Sequence, residues 1–189
     1  MLNNSESFSR PPSKQEFAAT FLLVSRISFW VQLVLGGISG ITLLLASFSR
    51  NVTTQTSNAG IGFGIFLAIV GILLLCFRVY WAFRYRKLAK LLQTPNSQNH
   101  PKREDVIQNL RIGLIVSLVG ILIAFIASEA TVAIILGKTL AQPQGVAIYQ
   151  PENVIRSLDI FVMLANVNMV GAHFLGGVTS LGLLYWVEE

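Results

Sequence analysis

The stretch Ile160–Val187, IFVMLANVNMVGAHFLGGVTSLGLLYWV, runs for 28 residues without a charged side chain. An α-helix rises 1.5 Å per residue and needs about 20 mostly apolar residues to cross ~30 Å of hydrocarbon. This stretch is long enough to do so with several residues to spare. Three more uncharged stretches precede it: Ile27–Ser49 (23 residues), Asn51–Phe77 (27) and Ile112–Ser128 (17). Together the four hold 95 of the 189 residues, and the other 94 carry all 23 charges. That remainder has the ordinary soluble charge density of about one in four. The chain reads as a polar sequence interrupted by four segments of membrane length. The expected fold class is therefore all-α: a polytopic membrane protein with four transmembrane helices.

The basic residues set the expected orientation. Arg10, Lys14 and Arg26 precede the first span, and eight more fall between Arg78 and Arg111. Only Arg50, Lys138 and Arg156 lie in the other connections. By the positive-inside rule both termini and the second connection face the cytoplasm. Trp30, Trp81 and Trp186, with Tyr80, Tyr85 and Tyr185, fall at the same ends, where amphipathic rings favour the headgroup level. On this reading residues 1–12 are a disordered tail and 13–187 form one transmembrane domain. The spans are about 27–48, 60–80, 112–136 and 158–186, with a basic cytoplasmic loop 81–111 and an outer loop 138–157. Ser13 and Glu16 fit a capping box that starts a helix near Lys14. Thr94–Pro101 reads as a polar break, and Pro151 with Glu152 as an early start for the fourth helix. Arg78 and Arg84 are expected to snorkel.

Several function classes are excluded. The apolar stretch after Arg26 is too long for a signal-peptide core, and Glu6 and Glu16 argue against a transit peptide. Cys76 is the only cysteine, so neither an internal disulfide nor a cysteine zinc cluster can form. The net charge of +5 does not indicate nucleic-acid binding, because the basic residues sit beside spans rather than on a soluble face. No HExxH, Walker loop or GxSxG occurs, so no enzyme activity is expected. Gly60-Ile61-Gly62-Phe63-Gly64 opens an apolar span and lacks the strand and water a phosphate loop needs, so no cofactor site is expected either.

The fourth span also carries a polar pattern. Asp159, Asn166, His173 and Ser180 recur every seven residues, which places them on one face over roughly 31 Å. Polar groups in lipid are costly and generally face a protein interior or a wet cavity. Two readings stay open. The line is a track for a cation, with His173, Asn166 and Asp159 as metal ligands, Met169 as a secondary one, and Gly176 and Gly177 leaving room beside the imidazole. Alternatively, its members hydrogen-bond across helix interfaces. Ser25, Ser28, Gln32, Gly36 and Ser39 share a face of the first span and are candidates to pair with it. Small-residue spacings such as Gly36-x-x-x-Gly40, Gly113-x-x-x-Ser117 and Ala172-x-x-x-Gly176 point to close helix packing. Glu129 is a fourth candidate metal ligand if the third helix runs past it to Gly137, and an interfacial carboxylate if it does not. Its helical angle puts it beside Leu118, Leu122 and Phe125, away from the small ridge.

Ser28-Phe29-Trp30-Val31-Gln32-Leu33-Val34-Leu35-Gly36, Gly60-Ile61-Gly62-Phe63-Gly64, Tyr80-Trp81-x-Phe83-Arg84-Tyr85, Ser128-Glu129-Ala130, Asn166-x-Asn168, His173-Phe174 and Ser180-Leu181 are met in this order. Over roughly residues 15–187 the chain thereby resembles the cyanobacterial and chloroplast permease-in-chloroplasts family. That family is also described as the twenty-one-kilodalton inner-envelope translocon component family, with cyanobacterial members in a domain-of-unknown-function family. The resemblance implies four membrane helices, a cyanobacterial plasma or thylakoid membrane, and one of two roles: an iron permease or part of a protein-import channel. It carries over no ligand set. The first expectation is thus a permease for iron or another divalent cation, working as a homo-oligomer in membrane lipid. The alternative is a non-transporting subunit or assembly factor of a larger membrane complex.

Overall fold

The computed structural model describes residues 14–52, 59–92, 102–141 and 157–188. Four long helices account for nearly all of them: α1 (Lys14–Val52), α2 (Ala59–Leu92), α3 (Arg103–Leu140) and α4 (Ser157–Glu188). In hydrocarbon every backbone N–H and C=O must be satisfied within the segment, and a helix does this over its whole length. Each helix contains a segment long and apolar enough to cross a membrane: Ala19–Phe48, Phe63–Leu91, Arg103–Leu140 and Asp159–Val187. The chain is a four-helix, multi-pass membrane protein. The tail, Ser13, the break at Thr94–Pro101 and the proposed start at Pro151 lie outside the described residues.

The helices run up-down-up-down. Phe21 near the start of α1, Tyr85 near the end of α2, Asn109 near the start of α3 and Val187 at the end of α4 share one end of the bundle, called here the termini end. Lys138 of α3 meets Asp159 of α4 at the far end. Sequence neighbours pack side by side, α4 closes against α1, and α2 meets α4 across the diagonal. α3 continues beyond Glu129 to Leu140, with Glu104 and Asp105 in its first turn and Lys138 in its last, each favourable to the helix dipole. Its end is closed by the Ala141 N–H donating to the Gly137 and Thr139 carbonyls.

Two apolar clusters hold the ends. Leu43, Ala46, Ala68, Leu75, Val162, Ala165 and Met169 fill the half toward the far end. Phe21, Trp81, Tyr85, Ala89, Leu110 and Leu183 fill the termini end. The outer surface is apolar, as expected for a body dissolved in lipid: Leu44, Phe48, Phe66, Leu73 and Leu122 all point outward. Trp30, Tyr80 and Tyr185 face outward near the termini end. Trp81 and Tyr85 do not join them. Both are turned into the bundle, where Trp81 Nε1 and the Tyr85 hydroxyl donate to the Asn109 carbonyl at 2.9 Å each.

Candidate functional site

The polar residues of the four helices meet along the bundle interior as successive layers, one heptad apart on α2 and α4. Gly64, Gly71, Arg78 and Tyr85 are all buried on α2, as are Asn166, His173 and Ser180 on α4. A seven-residue repeat keeps one helix face toward its neighbours over several turns. Because α3 runs opposite to both, Thr131, Gly120, Ser117 and Gly113 answer them in reverse order.

At the far end Lys138 Nζ stands 2.6 Å from Asp159 Oδ2, with both side chains mostly enclosed. Asp159, the outermost member of the polar line, is thus engaged by a lysine. Just below, a crevice is lined by Gly64, Thr131, Ile135, Asp159 and Val162. Asn166 Nδ2 lies 3.4 Å from Thr131 Oγ1, while its Oδ1 is buried without a partner among the described residues. Ser39 of α1 donates to the Ala165 carbonyl at 3.0 Å, which brings the α1 polar face onto α4 as the shared spacing suggested. Gln32 on that face donates to Ser28 at 2.6 Å, within its own helix.

The imidazole of His173 occupies the middle layer. Its Nε2 lies 3.5 Å from the Gly71 carbonyl of α2, and Nδ1 has no partner among the described residues. The ring lies directly on Gly120 of α3: a Cβ there would come within 2.3 Å of Cε1. Only glycine lets α3 and the imidazole come so close. Met169, one turn earlier, rests against Gly71, where a Cβ would stand 3.2 Å from the sulfur.

The layer below holds the residue that the sequence reading misplaced. Arg78 does not snorkel; it is 0% exposed. Its Nε donates to Ser117 Oγ at 2.7 Å, and one terminal nitrogen donates to the Gly176 carbonyl at 2.5 Å and Ser180 Oγ at 2.8 Å. Its carbon lies 5.3 Å from the Tyr85 ring centroid, within range of a cation–π contact. The other terminal nitrogen, Nη1, has no hydrogen-bond partner among the described residues. The guanidinium therefore ties α2 to α3 and α4 at once, through neutral oxygens. The space at Gly176, expected to lie open beside His173, is filled by this group: a Cβ there would stand 2.8 Å from Arg78 Nε. Gly177 likewise faces Ser117 Cβ at 3.5 Å. Gly113 performs the same service for Tyr85, whose hydroxyl oxygen would be 1.9 Å from an added Cβ.

The four candidate ligands are thus separated. Asn166 and His173 are buried a heptad apart, Asp159 is paired with Lys138, and Glu129 points out of the bundle among exposed apolar side chains. Among the described residues no three His, Cys, Asp or Glu side chains group as a metal site. Arg78 stands in heptad register with Gly64, Gly71 and Tyr85, all buried on α2, but that spacing does not show which groups of α3 and α4 receive the guanidinium.

Residues 11–188 match the family model described as "Protein of unknown function (DUF3611)". The chain is 31% identical over 169 residues to "Protein TIC 21, chloroplastic" from Arabidopsis thaliana, an alignment covering 87% of this chain and 55% of that protein. The chain thus spans about half the length of that relative. No solved structure matches it.

Proposed function

The chain belongs to the DUF3611 family, and on that footing we propose that it is a non-transporting subunit or assembly factor of a larger membrane complex, its polar interior serving to lock four helices in register. The observation that carries this reading is Arg78. A guanidinium stays charged at any physiological pH, and here it bonds to Ser180, the last member of the polar line. A cation moving along that line from Asp159 would meet a fixed positive charge in place of a ligand. The layers above are occupied by the helices themselves, with Gly120 and Gly71 closed onto His173 and Met169. Groups held this way suit mutual positioning of helices, and positioning is what a scaffold in an assembly must provide.

A permease for ferrous iron is the second reading. It is favoured by the unpartnered Asn166 Oδ1 and His173 Nδ1, which are oxygen and imidazole donors of the kind such an ion accepts. Native-gel analysis of source membranes separates the two. A subunit migrates in an assembly much larger than its own oligomer, and His173→Leu or Asn166→Leu depletes that assembly. If the wild-type chain migrates only as its own small oligomer, the subunit reading is wrong.

A further inference from the structure

Glu129 is the one carboxyl side chain among the described residues that faces outward from the interior of a span. Arg111 and Lys138 flank it on α3, about 27 Å and about 13 Å away along the helix axis. Centring a 30 Å hydrocarbon layer between those two charges places Glu129 roughly 8 Å inside its boundary. It has no hydrogen-bond or ion-pair partner among the described residues. Its neighbours on the same face are Ile115, Leu118, Leu122, Phe125, Val132 and Leu136, which are 37–60% exposed. With Glu129 these positions are spaced 3, 4, 3, 4, 3 and 4 residues apart, the a/d repeat of a left-handed coiled coil. The seam runs over 22 residues, a rise of roughly 31 Å from first to last, the full depth of the hydrocarbon.

Apolar exposure alone is the normal condition of a helix against lipid; a carboxyl within the stripe is not. We propose that this face of α3 is a self-association seam, on which two copies of the chain pack α3 against α3 with their Glu129 side chains meeting at the twofold axis. Two copies in one membrane share an orientation, so the axis lies along the membrane normal and the paired helices are parallel. In a parallel pair each a position faces its own equivalent, and Glu129 occupies an a position. The carboxyl is self-complementary there. A carboxylic acid group carries both an O–H donor and acceptor oxygens, so two of them meeting on the axis complete a hydrogen bond across it. Each copy thereby satisfies the other's polar group without a third molecule, and a single polar a layer fixes the register of the seam. The seam lies on the outer face of α3, away from Arg78 and His173, so it holds whichever role the bundle interior plays.

The test uses the full chain in proteoliposomes, with Cys76→Ala as background and single cysteines at Leu118, Leu122, Phe125 or Val132. Leu44→Cys on α1 and Phe66→Cys on α2, both exposed, serve as controls. Oxidation is expected to yield covalent dimer at the seam positions several-fold above the controls. Glu129→Gln, whose amide also donates and accepts, keeps that yield; Glu129→Ala weakens the dimer about tenfold, the scale of a polar contact between membrane helices. Glu129 points away from the bundle, so unchanged helical circular dichroism accompanies both variants. Seam yields no higher than the controls overturn the proposal, as does Glu129→Ala behaving like wild type. Cross-linking of α3 to a different polypeptide in native membranes, with no dimer from the purified chain, overturns it in favour of a foreign helix.

Discussion

Adding one methyl group at Gly120 tests the layered interior at its tightest point. An alanine Cβ there would stand 2.3 Å from His173 Cε1, 2.4 Å from Nδ1 and 2.5 Å from Nε2. Carbon atoms in favourable contact sit about 3.5–4.0 Å apart, so the ring must move by more than 1 Å or α3 must back away from α4. Overpacking of this kind costs about 1–3 kcal/mol and at times more. Set against it is the gain of about 1 kcal/mol from replacing glycine with alanine inside a helix. Three ring atoms overlap at once, so the cost is placed at about 2–4 kcal/mol, for a net destabilisation of about 1–3 kcal/mol. In a domain of this size that lowers Tm by about 3–10 °C. The assay is thermal unfolding of the purified protein in detergent, run as a double-mutant cycle with His173→Ala. Truncating the imidazole removes the obstacle, so Gly120→Ala is expected to be harmless or stabilising in the His173→Ala background. Gly37→Ala and Gly40→Ala, where an added Cβ meets nothing within 4 Å, should show only the propensity gain. The reasoning is refuted if Gly120→Ala is neutral by itself, or if its cost persists unchanged without the imidazole.

Gly113→Ala should destabilise through the Tyr85 hydroxyl, and Tyr85→Phe, which deletes the atom nearest the new methyl, should restore most of the loss in the same unfolding assay. Arg78→Lys should lower stability by about 2–4 kcal/mol despite keeping the charge, because an ammonium cannot reproduce the fork that reaches Ser117, Gly176 and Ser180 together. Lys138→Met should cost more than the Lys138→Met/Asp159→Leu double variant, with a coupling of about 1 kcal/mol that high salt reduces only slightly, since both groups are largely enclosed.

The sequence pattern carried much of this organisation. Four uncharged runs correspond to four membrane-length helices, and the heptad spacing of Asn166, His173 and Ser180 placed all three on the buried face of α4. The helical angle of Glu129 pointed it away from the small ridge of α3, as the structure has it. Arg78 was not legible by the same logic. It directly follows an uncharged run, where the cheap solution for a long basic side chain is to reach the headgroups. Only a comparison between helices reveals that Ser117, Gly176 and Ser180 provide a cradle of matching size, and spacing within α2 alone cannot disclose a cradle built by α3 and α4. Trp81 and Tyr85 escaped for a similar reason. Their composition fits an interfacial belt, whereas the Asn109 carbonyl and the gap at Gly113 draw them inward.

The central claim is that the polar interior locks helices together and does not conduct. Uptake of labelled ferrous iron into liposomes bearing the purified chain tests it most directly. Uptake equal to that of protein-free vesicles, unchanged in His173→Ala, is the outcome expected of a bundle whose polar line ends on Arg78. Saturable uptake by the wild-type chain, abolished by His173→Ala in a variant that still folds, would contradict it.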